Sequence, residues 1–127
     1  MTVKLLSIGV LIDSLVRQNP ALCQAAFCKE LLNAVQAFSI LQKKRYDCVV
    51  IGPGVPENAR NQLASIAKVS NPSTVVIMLY DGSIRRTELA DAVLNAGTVE
   101  DNLAETIVHL LRLDQPVEFG KSRQLTR

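Results

Sequence analysis

The chain has 127 residues, 48% of them hydrophobic and 20% charged, which suits one globular domain of ordinary size and excludes disorder for most of its length. Its 14 Lys+Arg against 12 Asp+Glu leave a formal net charge of +2, without the basic excess of a dedicated nucleic-acid binder or the acidity of a solvating tail. Aromatic residues make up 4% with no Trp, which argues against base-stacking platforms and carbohydrate clefts.

The first apolar run, Leu5 to Ile12, is broken by Ser7 and Gly9 and closed by Asp13. It is too short to span a bilayer and lacks a signal-peptide cleavage site. Leu5–Ile8 is read as the first strand, and Val10–Arg17, with Leu11, Ile12, Leu15 and Val16 at helical spacing, as a short or kinked helix ending at Asn19-Pro20. Cys23–Cys28 is assigned as the second strand from its place in the alternation, although Ala25 and Ala26 favour helix. Asn33 with Gln36 forms a capping box for a helix whose face is Val35, Phe38 and Leu41 and whose end carries Lys43, Lys44 and Arg45.

Cys48–Ile51 is an unbroken apolar run of the kind buried on both faces of a parallel sheet, and Gly52-Pro53-Gly54-Val55-Pro56 must then form a loop. Pro56 opens a helix with Ala59, Leu63, Ile66 and Ala67 facing inward, stopped at Asn71-Pro72. Thr74–Leu79 is another buried strand, Arg85–Leu89 a weakly patterned helix, and Asp91–Leu94 the fifth strand. Thr98 and Asp101 cap a last helix striped by Leu103, Ile107, Leu110 and Leu111.

Five strands alternating with five helices predict an α/β protein of flavodoxin-like, three-layer α/β/α architecture, its parallel sheet ordered 2-1-3-4-5. Sites in such folds lie at the carboxyl ends of the strands, here after Ile8, Ile51, Leu79 and Leu94. Residues 1–113 are expected to form the domain, and 114–127, where apolar periodicity is lost, a flexible extension. Cys23, Cys28 and Cys48 lack metal-ligand spacing and are expected as buried thiols in a reducing cytoplasm.

The segment Tyr46-Asp47-Cys48-Val49-Val50-Ile51-Gly52-Pro53-Gly54-Val55-Pro56 resembles the third strand and following loop of the receiver domains of two-component response regulators, in which a proline stands four residues past the phosphorylated aspartate. Ala37–Arg45, Val75–Leu79 and Ala90–Leu94 fit the same template, so the resemblance covers roughly residues 3 to 113. It implies a phosphoacceptor aspartate, an acidic pair for Mg²⁺, a small hydroxyl and a lysine, because phosphoryl transfer is catalysed by positioning and by neutralising the phosphoryl oxygens. The matching positions here are Gly52 for the nucleophile, Gly9 and Val10 for the acidic pair, Tyr80 for the hydroxyl and Ala96 for the lysine. Shifting the register to Asp81 or Asn95 does not restore the set, and Val93 stands where the family has its switch aromatic.

No other carboxylate replaces them. Asp47 reads as a strand-edge residue at the opposite end of the sheet, Asp13 as a residue of the first helix, and Asp81 as a loop or capping residue. Gly52-Pro53-Gly54 before a helix suggests an anion site, but its prolines remove N–H donors and a turn is the simpler reading. His109 has no catalytic partner and reads as a surface residue.

The expectation is a degenerate receiver-like module, not an enzyme, with no cofactor and no metal. It would signal or control transcription through a protein partner, a second copy of the chain included, with no membrane and no direct nucleic-acid contact. The expected contact face comprises Tyr80, Arg85, Arg86, Asn95 and Asp101. Two alternatives are a small-ligand or anion-binding domain around Gly52, Gly54 and Asp81, and a DNA-associated factor using Arg85, Arg86 and the basic tail.

Overall fold

The computed structural model describes residues 2–82 and 87–113, and of Asp101 the backbone only. Its five strands are β1 (Val3–Ile8), β2 (Ala26–Leu31), β3 (Cys48–Ile51), β4 (Val75–Tyr80) and β5 (Ala92–Asn95). They form one all-parallel sheet in the order β2-β1-β3-β4-β5. Helices α1 (Asp13–Gln18), α2 (Pro20–Cys23), α3 (Ala34–Lys43), α4 (Glu57–Ser70) and α5 (Val99–Leu110) cover it, with a 3-10 turn over Ala96–Thr98 leading into α5. This is the flavodoxin-like sandwich the alternation of elements requires.

Side chains on a strand alternate between faces, so each central strand feeds two cores. Leu6, Ile8, Val49, Ile51, Val76, Met78 and Tyr80 meet Ala37 and Leu41 of α3 and Leu63, Ala64 and Ala67 of α4. Val3, Leu5, Cys48, Val50, Val75, Ile77 and Leu79 meet Ile12, Val16, Leu22, Leu103, Ile107 and Val108 on the other side. All six residues of β4 are buried, whereas the edge strand β5 is only half-buried along its length.

Two carboxylates finish the amino end of the sheet. Asp47 Oδ2 accepts the Lys4 amide at 2.8 Å. Asp91 Oδ2 accepts the Val76 amide at 2.7 Å and Lys68 Nζ at 2.7 Å. Each gives a backbone donor that has lost its ladder partner a charged acceptor.

Several element boundaries depart from the sequence reading. The second strand is Ala26–Leu31, not Cys23–Cys28, because Asn19 ends α1 as expected and also starts a second short helix over Pro20–Cys23. Its side chain accepts the Ala21 and Leu22 amides, and Pro20 takes the first helical position, where it needs no donor. The first helix begins at Asp13 instead of Val10, and the fifth strand is Ala92–Asn95, one residue later than expected. Asn33 caps α3 as expected, accepting the Gln36 amide at 3.1 Å, but Val35 is 78% exposed and Ala37 takes the inner face. Pro56 precedes α4, and the buried stripe of that helix is Arg60, Leu63, Ala64 and Ala67, while Ala59 and Ile66 are half-buried. Of the expected helix at Arg85–Leu89, residues 87–89 are not helical, and Arg85 and Arg86 lie outside the described residues.

Leu63→Ala removes a fully buried side chain between α4 and the sheet and is expected to cost about 2–5 kcal/mol of stability. Val69→Ala on the 84%-exposed side of the same helix should stay within about 0.5 kcal/mol, with urea denaturation measuring both.

Candidate functional site

Parallel strands place their carboxyl ends on one edge, where β1, β3 and β4 hand over to loops. At that edge the Gly9 amide donates to Leu31 O at 2.8 Å and the Gly52 amide to Ile8 O at 2.8 Å, so the ladders run one residue past the strands. Gly9 then turns the chain at φ +70, a conformation glycine adopts without strain. The turn lays the Gly9 carbonyl directly against Gly52. A Cβ built on Gly52 would stand 2.6 Å from Gly9 O, 2.9 Å from Gly9 C and 3.1 Å from Ile8 O, all backbone atoms.

The rest of the crevice is closed by side chains. Val55 is buried, and its Cγ2 stands 3.2 Å from where a Gly9 Cβ would sit. Arg60, one turn into α4 and 7% exposed, reaches back beneath the loop: Nε donates to Val55 O at 2.9 Å and Nη2 to Pro53 O at 3.1 Å. Its guanidinium carbon lies 4.1 Å from the centroid of the Tyr80 ring. Nη1 is buried with no hydrogen-bond partner among the described residues. The loop therefore turns two carbonyls toward a cation held by the chain itself, which is the reverse of the anion-cradling arrangement considered for Gly52-Pro53-Gly54.

Two of the carboxylates nearby are engaged elsewhere. Glu30, at the end of β2, accepts the Ile12 and Asp13 amides through Oε2 at 2.7 and 2.9 Å and so caps α1 from a neighbouring strand. Asp13 pairs with Arg17 at 2.8 Å on the surface of α1 and holds that guanidinium above its ordinary range. Asp81 is exposed beyond β4. Asp47 is where the sequence placed it, at the far end of the sheet.

Of the expected contact face, Tyr80 is 7% exposed beneath Arg60, so its burial removes it from the surface; its hydroxyl donates to Met78 Sδ at 3.7 Å. Asn95 is a clasp: Nδ2 donates to Gly82 O at 3.1 Å and Oδ1 accepts the Gly97 amide at 2.8 Å. Ala96 opens the turn before α5, and Val93 is half-buried against the α3–α4 core. Arg85, Arg86 and the side chain of Asp101 lie outside the described residues. His109 is exposed in the last turn of α5.

The sequence reading missed Arg60 and Glu30. Arg60 left a signal, a cation in register with Leu63, Ala64 and Ala67 on the apolar stripe of its helix. Glu30 left none, because the two amides that donate to it lie eighteen and seventeen residues earlier in the chain.

No protein-family model matches the chain, and no curated protein does. Among solved structures, the beryllofluoride-activated receiver domain of DrrB, a Thermotoga maritima protein, superposes with TM-score 0.68 at 19% identity, over 88% of this chain and 99% of that one. A CheY-like receiver domain from Methanospirillum hungatei gives TM-score 0.68 at 14% identity, over 88% and 95%. The receiver domain of the sensor histidine kinase PA1611 of Pseudomonas aeruginosa, with magnesium in its active-site cleft, gives 0.66 at 10%, over 88% and 99%. The chain has the fold of response-regulator receiver domains. None of its described helices is long and apolar enough to cross a membrane.

The cysteines are more varied than expected: Cys48 is buried, Cys28 half-buried and Cys23 exposed. Burial pushes the Cys48 thiol well up, and burial, with Glu30 and Asp13 adding to it, pushes Cys28 up to about 12. Iodoacetamide at pH 8 should therefore modify Cys23 first, by peptide mapping. A raised folded pKa means the unfolded chain loses these protons first, so stability should fall as pH rises above about 8.5, the ordinary thiol value, in urea denaturation from pH 7 to 10.

Proposed function

We propose that the chain is a receiver-like signalling module that acts by protein contact without accepting a phosphoryl group. The observation that carries this reading is the packing at Gly52. The position matched to the phosphoacceptor lacks a side chain, and the Gly9 carbonyl fills the volume where one would begin. Solved relatives of the fold are described with beryllofluoride, with magnesium, or with a phosphorylated aspartic acid and calcium. Such groups demand several carboxylates around one point, since Mg²⁺ and Ca²⁺ take oxygen ligands and the transferred phosphoryl needs its charge neutralised. Here Glu30 caps a helix, Asp13 pairs with an arginine, Asp81 is exposed beyond β4, and a guanidinium lies beneath the loop.

In this reading residues 1–113 are the working unit, in the cytoplasm, and the output is contact with another protein, a second copy of the chain included. Among the described residues no nucleophile stands beside a base at the strand ends, which is why the reading carries no catalytic step of its own. Control of transcription would pass through the partner.

Gly52→Ala should lower stability by about 1–3 kcal/mol through overpacking against backbone that cannot retreat, measured by urea denaturation. Gly52→Asp should cost more and still gain no affinity for beryllofluoride. In the native chain, an amide NMR titration with Mg²⁺ and beryllofluoride is expected to leave residues 7–13, 50–56 and 78–82 unshifted. Saturable shifts confined to those loops would overturn the reading and return Asp13 and Asp81 as ligands.

A further inference from the structure

We propose that Arg60 and Tyr80 form a latch that couples the Gly52–Val55 loop to the carboxyl end of β4, so that loop and strand end change state together. The coupling is independent of whether the crevice takes a phosphoryl group. It begins in the loop, where the carbonyls of Pro53 and Val55 receive two of the three guanidinium nitrogens at 3.1 and 2.9 Å. The guanidinium is a rigid plane, so fixing two of its arms fixes where its face points. That face lies on Tyr80, 4.1 Å from the ring centroid, in a setting with little water to weaken the attraction.

Tyr80 is the last residue of β4 and pairs in register with Asn95 of β5. Two residues on, the Gly82 carbonyl accepts the Asn95 side chain at 3.1 Å, and Asn95 also accepts the Gly97 amide ahead of α5. A continuous series of contacts therefore runs from the loop through Arg60 and Tyr80 to the end of β4, and on to the start of α5. A shift of the Tyr80 ring releases one face of the guanidinium, and a shift of the loop removes its two acceptors.

The latch is not a simple brace, because Arg60 also destabilises the closed state. Nη1 is buried without an acceptor, and an unsatisfied buried donor offsets much of what the two good hydrogen bonds contribute. Opposing terms on one side chain hold the loop less firmly than a fully satisfied network would.

The test uses the full chain and hydrogen exchange followed by NMR. Tyr80→Leu, which removes the ring face, is expected to speed exchange of the Val55 amide by about tenfold or more and to shift the Asn95 side-chain resonances, with β1 and β3 amides unchanged. Tyr80→Phe keeps the face and should stay within about twofold of the native rate. Arg60→Met should reproduce Tyr80→Leu, and the double variant should go no further than either. Should Arg60→Met fail to fold, the two Tyr80 variants decide alone, since Val55 lies outside their strand. The proposal is overturned if Val55 exchange is unchanged in Tyr80→Leu, if acceleration is shared equally by β1 and β3, or if the two single effects multiply in the double variant.

Discussion

The contact between Gly9 and Gly52 sets the rest of the strand-end geometry. Two adjacent parallel strands leave the sheet side by side, and in most such pairs a side chain at the end of one keeps the backbone of the other away. Here neither residue has a Cβ, and the Gly9 carbonyl settles where the Gly52 side chain would start. The β1–α1 connection can then fold over the top of β3, and Val55 closes the gap with hydrocarbon. The space beneath Gly52 is packed with Val55 and Arg60, while Gly9 and Gly54 stay at the surface.

Arg60 follows from that closure. Polar loop carbonyls turned inward need donors, and burying them bare would cost several kcal/mol. A guanidinium supplies donors in a planar fork, tolerates desolvation better than an ammonium, and can rest on an aromatic face. Charge-assisted hydrogen bonds contribute about 1.5–3 kcal/mol each and the stack on Tyr80 up to about 2, against the penalty of a buried charge with one idle nitrogen. Glu30 solves the matching problem at α1, whose first amides have no cap from their own side chains and take a carboxylate from β2 instead.

The fold was far more legible in the sequence than the site, and the reason is range. Cys48–Ile51 and Val75–Leu79 announce themselves because a strand buried on both faces must be apolar at every position. Asn33 and Gln36 announce α3 because capping is local chemistry. The second strand was misplaced by three residues for the opposite reason: Asn19-Pro20 ends one helix and at once starts another, a four-residue turn too short to leave a pattern and anchored by Leu22 in the core. At the strand ends, what the sequence displayed was the lack, at Gly9, Val10, Gly52, Tyr80 and Ala96, of the reactive groups the family resemblance implies. What replaces them comes from contacts across eighteen residues for Glu30 and between separate elements for Arg60 and Tyr80, beyond the reach of any local pattern.

Such a chain shows how little of this fold depends on its strand-end chemistry. Two separate cores, one on each face of the sheet, hold the strands, and neither contains an ionised group other than the Arg60 that borders one of them. A cluster of carboxylates in a crevice stabilises nothing by itself: like charges at close range repel, and only a bound cation reverses the sign. On the proposed reading, glycine, valine and an internal guanidinium stand where such a cluster would, and neither the repulsion nor the need for a cation arises. The loop is also joined to the end of β4 through Arg60 and Tyr80, groups the protein carries permanently.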